Sequence, residues 1–417
     1  MIPNPREERP VPGPPAYVIV GASLAGAKAA ETLREEGFDG AVVMIGEEGD
    51  RPYERPPLSK GYLLGNDERE SIFVHPEGWY AENRVELRRG TVATSVDRKG
   101  RTVGLASGES VPYDKLLITT GASPRRLNIP GADLDGVLYL RSVEDSERLA
   151  AALRGGGSVV IAGAGWIGLE TAAAARHYGC EVTVVEPERG ALLRSIGPEL
   201  GEVFADLHRS HGVTFRFGEG LSEITGSGRA AGAVTSAGTE LPADVVVIGI
   251  GAVPNTAIAA DAGLEVDNGI LTDEALRTSD PDIFAAGDVA NSFNPLLGRR
   301  IRVEHWGNAL TGGPAAARSM LDRQVSFDLV PYFYSDQYDL GMECAGLPEP
   351  GSYDEIVYRG DKESLEFIAF WLSDGAVTAG MNVNVWDVND DIQALIRTGE
   401  PVDTQRLADP GVPLTDL

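Results

Sequence analysis

Short runs of apolar residues that end in glycine-rich turns set the rhythm of this chain. Two carry the most information: AYVIVGASLAG, from Ala16 to Gly26, and SVVIAGAGWIG, from Ser158 to Gly168. Val/Ile runs of this length read as strands of a parallel sheet buried on both faces. Each turn opens an Ala-rich stretch with helical spacing. The first runs from about Leu24 to Glu36 and ends at Gly37; the second runs from about Trp166 to Tyr178 and ends at Gly179. Glycine is the common residue just past a helix C-terminus. A second apolar run follows each helix, AVVMI in the first unit and EVTVVE in the second. The pattern is strand, turn, helix, strand, twice over.

Between the two units, Gly78 to Thr120 alternates short apolar runs with polar turns, which predicts a hairpin or small sheet inserted in the first domain. KLLITTGASPRR (Lys115 to Arg126) and ADVVVIGIGAVPN (Ala243 to Asn255) are mirrored strand–turn segments and read as crossing points between domains. PDIFAAGDVA then gives a strand ending in Gly287 and Asp288, followed by an Ala-rich helical stretch from about Asn308 to Leu321. From Phe327 the aromatic runs FIAFWL and VNVWDV predict a small α+β domain. The expected fold class is α/β: two doubly wound, three-layer dinucleotide-binding domains and a small C-terminal α+β domain. The expected limits are a proline-rich extended or disordered tail at 1–15, a first dinucleotide-binding domain at 16–124 and 249–326, a second at 125–248, and a C-terminal domain at 327–417.

The turns carry the chemistry. The first glycine permits the tight bend, the second admits a pyrophosphate, and the third lets helix pack on strand. The helix N-terminus then offers free N–H groups and a positive dipole end. Gly163, Gly165 and Gly168 fill all three places, with Trp166 and Ile167 opening the helix. In the first unit Gly21 and Gly26 are present, Ser23 takes the middle place, and Ala25 lies in the opening turn. Glu186 ends the second unit's closing strand, where it can hold a ribose 2′-hydroxyl and repel a 2′-phosphate. That favours NADH, although Arg189 stands close enough to blur the preference. In the first unit either Glu47 or Glu48 could hold the ribose. Two such turns in one chain point to two dinucleotides, a flavin and a nicotinamide.

Composition narrows the picture. The 417 residues carry a net charge of −27, which argues against nucleic acid and against anionic membrane surfaces. No apolar run reaches the length of a membrane span, and no secretion signal opens the chain, so a cytoplasmic protein is expected. The two cysteines, Cys180 and Cys344, lie far apart and exclude a neighbouring redox dithiol. Histidines and cysteines show no metal-ligand spacing, so no metal is expected.

Further segments carry a resemblance over nearly the whole length. They are RPYERPPLSKGYL (Arg51 to Leu63), TTGASPR with Thr119 for the usual alanine, GIGAVPN, FAAGD, VEHWGNA (Val303 to Ala309) and PYFYSDQYDLG (Pro331 to Gly341). With these the chain resembles the flavoprotein ferredoxin reductases of oxygenase systems, the putidaredoxin-reductase type, which share a fold with glutathione reductase and apoptosis-inducing factor. Two departures are Ser23 for a glycine and Tyr334 for a tryptophan that packs near the flavin.

The resemblance implies that Lys60 and Glu170 form a catalytic ion pair beside the flavin N5 atom. It implies flavin contacts from Arg55, Pro56, Thr120, Gly121, Gly251, Gly287 and Tyr334, and a ribityl partner in Asp288. Arg125 is expected to face flavin phosphates or a neighbouring acid. Glu304, His305 and Trp306 precede a helix aimed at the flavin ring, with His305 structural. The implied activity is transfer of hydride from NADH to FAD and of single electrons to an iron–sulfur ferredoxin. The alternatives are another acceptor (quinone, dye or oxygen) or a redox-regulated binding protein like apoptosis-inducing factor. Because the chain is acidic, docking of an acidic ferredoxin calls for a local basic patch at Arg299, Arg300 and Arg302, extended by Arg318. The protein is expected to be a monomer or homodimer.

Overall fold

Two parallel five-stranded sheets form the centre of the protein, which was obtained as a computed structural model describing residues 14–417. The proline-rich tail expected at 1–15 lies, but for its last two residues, outside the described residues. In the first sheet the strands run in the order Ile283–Ala285, Lys115–Ile118, Ala16–Val20, Ala41–Ile45, Val85–Arg88, all parallel. In the second the order is Val213–Phe217, Glu181–Glu186, Ser158–Ala162, Val245–Ile248, Val137–Leu138, again all parallel. In both, the strand leading into the glycine turn sits at the centre. Its residues are buried on both faces because helices cover one face and a small antiparallel sheet covers the other, which is why it reads as an unbroken apolar run.

The turn helices form where expected, Leu24–Glu35 and Trp166–His177, and the glycines after them, Gly37 and Gly179, take positive φ. The small inserted sheet is antiparallel: Ala93–Asp97, Thr102–Leu105 and Ser110–Pro112. The second unit has its own, Leu221–Gly226, Ala230–Thr235 and Glu240–Pro242. The two predicted crossing segments meet each other. Ala122–Pro124 pairs antiparallel with Ala252–Pro254, so the chain leaves the first unit and returns to it through one two-stranded ribbon.

The C-terminal segment is a five-stranded antiparallel sheet with the Asn389–Thr398 helix on one face. Its strand Glu366–Ser373 is buried almost throughout, and the period of two explains how. Phe367, Ala369 and Trp371 point toward the second unit's core, against the helix carrying Phe204. Ile368, Phe370 and Leu372 point toward Ile392 and Leu395 of their own helix. Each of these aromatics, fully buried, contributes about 2–3 kcal/mol of transfer free energy. The third sheet is therefore fused to the second unit and brings the strand Tyr332–Gln337 alongside the helix Trp166–His177.

Candidate active site at the junction of three sheets

The two glycine turns are shaped by the chain itself at their first and third positions. A Cβ on Gly21 (φ +121°) would lie 2.2 Å from the Thr119 carbonyl oxygen, and one on Gly163 (φ +105°) 2.3 Å from that of Gly249. Cβ atoms on Gly26 and Gly168 would strike the Gly21 and Gly163 carbonyls at 2.2 and 2.1 Å. The middle position is different, because a Cβ on Gly165 would meet nothing within 4 Å. The chain itself does not constrain that place, which gives the physical reason Ser23 is accommodated in the first turn.

The helices that start at the crevice leave their N-termini open. Those opening after Ser23, Gly165 and His305 have no side-chain cap. By contrast, Val143–Leu153 has a full capping box from Ser142 and Asp145. Free N–H groups with the dipole behind them fit anionic groups of a dinucleotide. Ile167 is exposed at 44% and a Cβ on Gly251 would meet open space, as a nucleotide-covering surface requires. The residues present fit two dinucleotides.

The acids after the first unit are told apart by their neighbours. Glu48 accepts hydrogen bonds from Arg55 (2.6 Å) and from the Tyr53 hydroxyl, whereas Glu47 is exposed, which leaves Glu47 free for a ribose. In the second unit Glu186 accepts from the backbone N–H groups of Ala164 (2.8 Å) and Glu188 (2.9 Å), so it also braces the glycine turn. Arg189 is exposed.

Asp288 does not cap a helix. It accepts from Arg141 at 3.0 Å, and Arg141 lies beside Gly121, where a Cβ would be 3.1 Å from its guanidinium. Arg55 donates to the Arg141 carbonyl oxygen, so two guanidiniums and the carboxylates of Glu48 and Asp288 share one cluster. Burial and the neighbouring Arg55 push Arg141 below the usual guanidinium range. Arg125, expected to face a phosphate or an acid, is exposed and pairs with no acid among the described residues; Arg141 stands in the cluster. The sequence reading missed Arg141, whose only local sign was its place just before the capping box.

Lys60 and Glu170 meet. Nζ lies 2.8 Å from Oε1, with the side chains 15% and 3% exposed. Ser59 donates to Glu170 Oε2, and Ser335 donates to Oε1 at 2.7 Å. Lys60 Nζ sits 5.4 Å from the Tyr334 ring centroid, and Trp306 packs edge-on to Tyr334 while its indole N–H donates to Glu54. His305 sits just before the helix Trp306–Met320; burial pushes its imidazole down to about 4, and its Nδ1 has no partner. Glu304 is exposed and paired with Arg302. Trp166 turns away from the glycine turn: its ring packs on Phe204 and Phe333, so only its backbone remains at the turn. Thr120 donates to the Asn255 carbonyl and ties the two crossing segments together. Pro56 opens the short 3-10 turn that carries Leu58 and Ser59 to Lys60.

Each arginine of the expected basic patch has a partner of its own. Arg302 is 12% exposed and paired with Glu304, Arg299 pairs with Glu349 at 2.8 Å, and Arg318 pairs with Glu36 at 3.0 Å. Arg300 is exposed and donates to the Thr272 carbonyl. Both cysteines are buried and free, and burial pushes the Cys344 thiol up. No helix among the described residues is long and apolar enough to cross a membrane.

The chain belongs to the pyridine nucleotide-disulphide oxidoreductase family, whose model matches residues 15–313; residues 332–417 match the family described as Reductase C-terminal. It is 40% identical over 402 residues to the ferredoxin–NAD(+) reductase component of the anthranilate 1,2-dioxygenase system of Burkholderia cepacia, spanning 95% of this chain and 98% of the relative. It is 37% identical over 352 residues to a rubredoxin–NAD(+) reductase of Pseudomonas putida, spanning 84% and 91%. Among solved structures it is similar to the covalent putidaredoxin reductase–putidaredoxin complex, with a TM-score of 0.93 at 34% identity over 97% of this chain and 98% of the other. The putidaredoxin-reductase resemblance and the three-part architecture are thereby established. The protein is a flavoprotein oxidoreductase that uses FAD and NADH.

Proposed function

We propose that this enzyme carries electrons from NADH through FAD to an iron–sulfur ferredoxin that serves an oxygenase. The observation that carries the reading is the Lys60–Glu170 ion pair, which joins the first nucleotide unit to the second. The 16–124 and 249–326 segments form the FAD domain in this reading, 125–248 the NAD domain and 327–417 the C-terminal domain. Gly21, Ser23, Ala25, Gly26 and Glu47, with Arg55, Arg141 and Asp288, hold FAD. Gly163, Gly165, Gly168 and Glu186 hold NADH.

FAD, when bound, accepts hydride and hands electrons on singly, as a one-electron acceptor requires. Lys60 keeps a fixed cation beside the charge gained on reduction, in a setting where water is largely excluded. Glu170 orients Lys60 and balances its charge. The open N-terminus of the Trp306–Met320 helix adds a positive dipole end. His305 stays neutral at working pH and does not shuttle protons. Tyr334 sets an aromatic face toward Lys60.

Arg299 and Arg300, adjacent exposed members of the arginine group, carry the docking proposal. Changing both to Glu should slow ferredoxin reduction and leave ferricyanide reduction unaltered; unchanged ferredoxin kinetics would place the docking surface elsewhere. Buried, free cysteines suit a reducing compartment, and we place the protein in the cytoplasm as a monomer or homodimer. Steady-state turnover tests the main reading. NADH should support reduction of a purified [2Fe–2S] ferredoxin with a lower KM than NADPH, because Glu186 opposes a 2′-phosphate. Ferricyanide turnover without any ferredoxin turnover would overturn the acceptor assignment, and a preference for NADPH would overturn the role of Glu186.

A further inference from the structure

Glu170 is the inner end of a line of side chains that crosses from the C-terminal sheet into the second unit. Ser335 Oγ lies 2.7 Å from Glu170 Oε1, and Gln337 Nε2 donates to Ser335 Oγ at 3.0 Å. Gln337 Oε1 lies 2.7 Å from His208 Nε2, and His208 Nδ1 lies 3.2 Å from the Tyr338 hydroxyl. Ser335, Gln337 and His208 are each no more than 1% exposed. His211 stacks on the Tyr338 ring at 3.7 Å, at the outer end. The residues come from the helix Leu193–Ser210, the strand Tyr332–Gln337 and the turn beyond it.

The direction of every bond is forced by the one before it. A carboxylate only accepts, so Ser335 must donate to Glu170. The Ser335 oxygen then accepts the Gln337 N–H, which turns the Gln337 carbonyl toward His208. An amide oxygen only accepts, so His208 Nε2 must carry the ring proton. Nδ1 is left as an acceptor, and Tyr338 donates to it. All four bonds point inward and polarise one another toward Glu170. A carboxamide in the line does not pass a proton along, so the chain fixes orientation and polarity.

We propose that Ser335, Gln337 and His208 are positioning residues for the electron-transfer site: they hold Glu170, and through it Lys60, in the geometry that flavin reduction needs. Within the nucleotide folds Ser59 donates to the other oxygen of Glu170; the C-terminal sheet supplies the donor to Oε1 and completes the site. The inference rests on the assignment of Lys60 and Glu170 to the flavin, and its test separates the two.

Two measurements on the FAD-bound protein decide it. The first is imidazole ¹⁵N NMR of His208, which reads the tautomer independently of turnover. The Nε2–H form is expected; the Nδ1–H form would break the forced direction and overturn the proposal. The second is single-turnover reduction by NADH. Ser335→Ala should slow reduction about tenfold with the apparent NADH affinity unchanged, the order expected for losing a hydrogen bond to a charged group. Ser335→Thr, which keeps the hydroxyl, should restore the rate. Added to Glu170→Gln, Ser335→Ala should cost little more, because both act through one group. If Glu170→Gln slows reduction and Ser335→Ala does not, the positioning role is wrong. If neither Glu170→Gln nor Lys60→Ala slows it, the assignment of the ion pair to the flavin fails, and the positioning role falls with it.

Discussion

Arg141 shows how a single residue changes the account of the flavin side. Its guanidinium reaches Asp288 while Arg55 holds its carbonyl oxygen, and burial disfavours the charge that both arginines keep. Two cations held that closely, balanced by Glu48 and Asp288, suit a ligand bearing phosphates. Arg141→Ala should weaken FAD binding by about tenfold or more, read by flavin fluorescence on titration of apoprotein, whereas Arg125→Ala should leave it unchanged. The reverse result would restore Arg125 to the role that the motif suggested. Residues of this kind are hard to read from sequence. Gly21, Gly163 and Glu186 announce themselves because their partners are turns a fixed number of residues away. Asp288 is 147 residues from Arg141, and Ser335 is 165 from Glu170; no spacing rule links them. Lys60 and Glu170 became legible only through flanking motifs. Arg299, Arg300 and Arg302 show the opposite case: they are neighbours in sequence, yet each finds a separate partner in space.

At the scale of elements, the strand–turn–helix units were legible almost to the residue, because buried parallel strands and their glycine stops are local patterns. The free N–H groups expected at these turns hold even at Leu24–Glu35, where an N-cap serine ordinarily implies a cap and Ser23 makes none. That opening leads to a prediction of opposite signs. Ser23→Asp puts a carboxylate at the helix start. It should stabilise the apoprotein by about 0.5–1 kcal/mol through capping and the dipole. The same charge stands where a phosphate belongs, so FAD affinity should fall. Thermal melts of the apoprotein and FAD titration, taken together, check both signs; a variant that binds FAD as tightly as wild type would place the phosphates elsewhere.

The whole molecule carries a pH dependence set by burial. Desolvation pushes both His208 and His305 down to about 4. In the unfolded chain the same groups take up protons near pH 6.5. Between pH 6.5 and 4 the unfolded state therefore binds more protons than the folded one, and folding stability falls as pH falls through that window. Above pH 6.5 neither group contributes a slope; below 4 the loss is complete, at about 3 kcal/mol for each. Denaturant unfolding of wild type and His208→Asn at pH 7.5, 6.5, 5.5 and 4.5 isolates the share of His208 from that of the carboxylates. Parallel curves for the two proteins would show that His208 is not held neutral by the fold.

The ribbon formed by Ala122–Pro124 and Ala252–Pro254 has a consequence for how such a molecule can be built. The segment between them enters and leaves through adjacent antiparallel strands, so its two ends lie about 5 Å apart. A cut at both strands would free a continuous stretch of chain with its own parallel sheet, and one or two residues would bridge the gap left behind. The second nucleotide fold is thus a cassette inserted into the first. Genes could exchange it whole, trading one electron donor for another without rethreading the host domain.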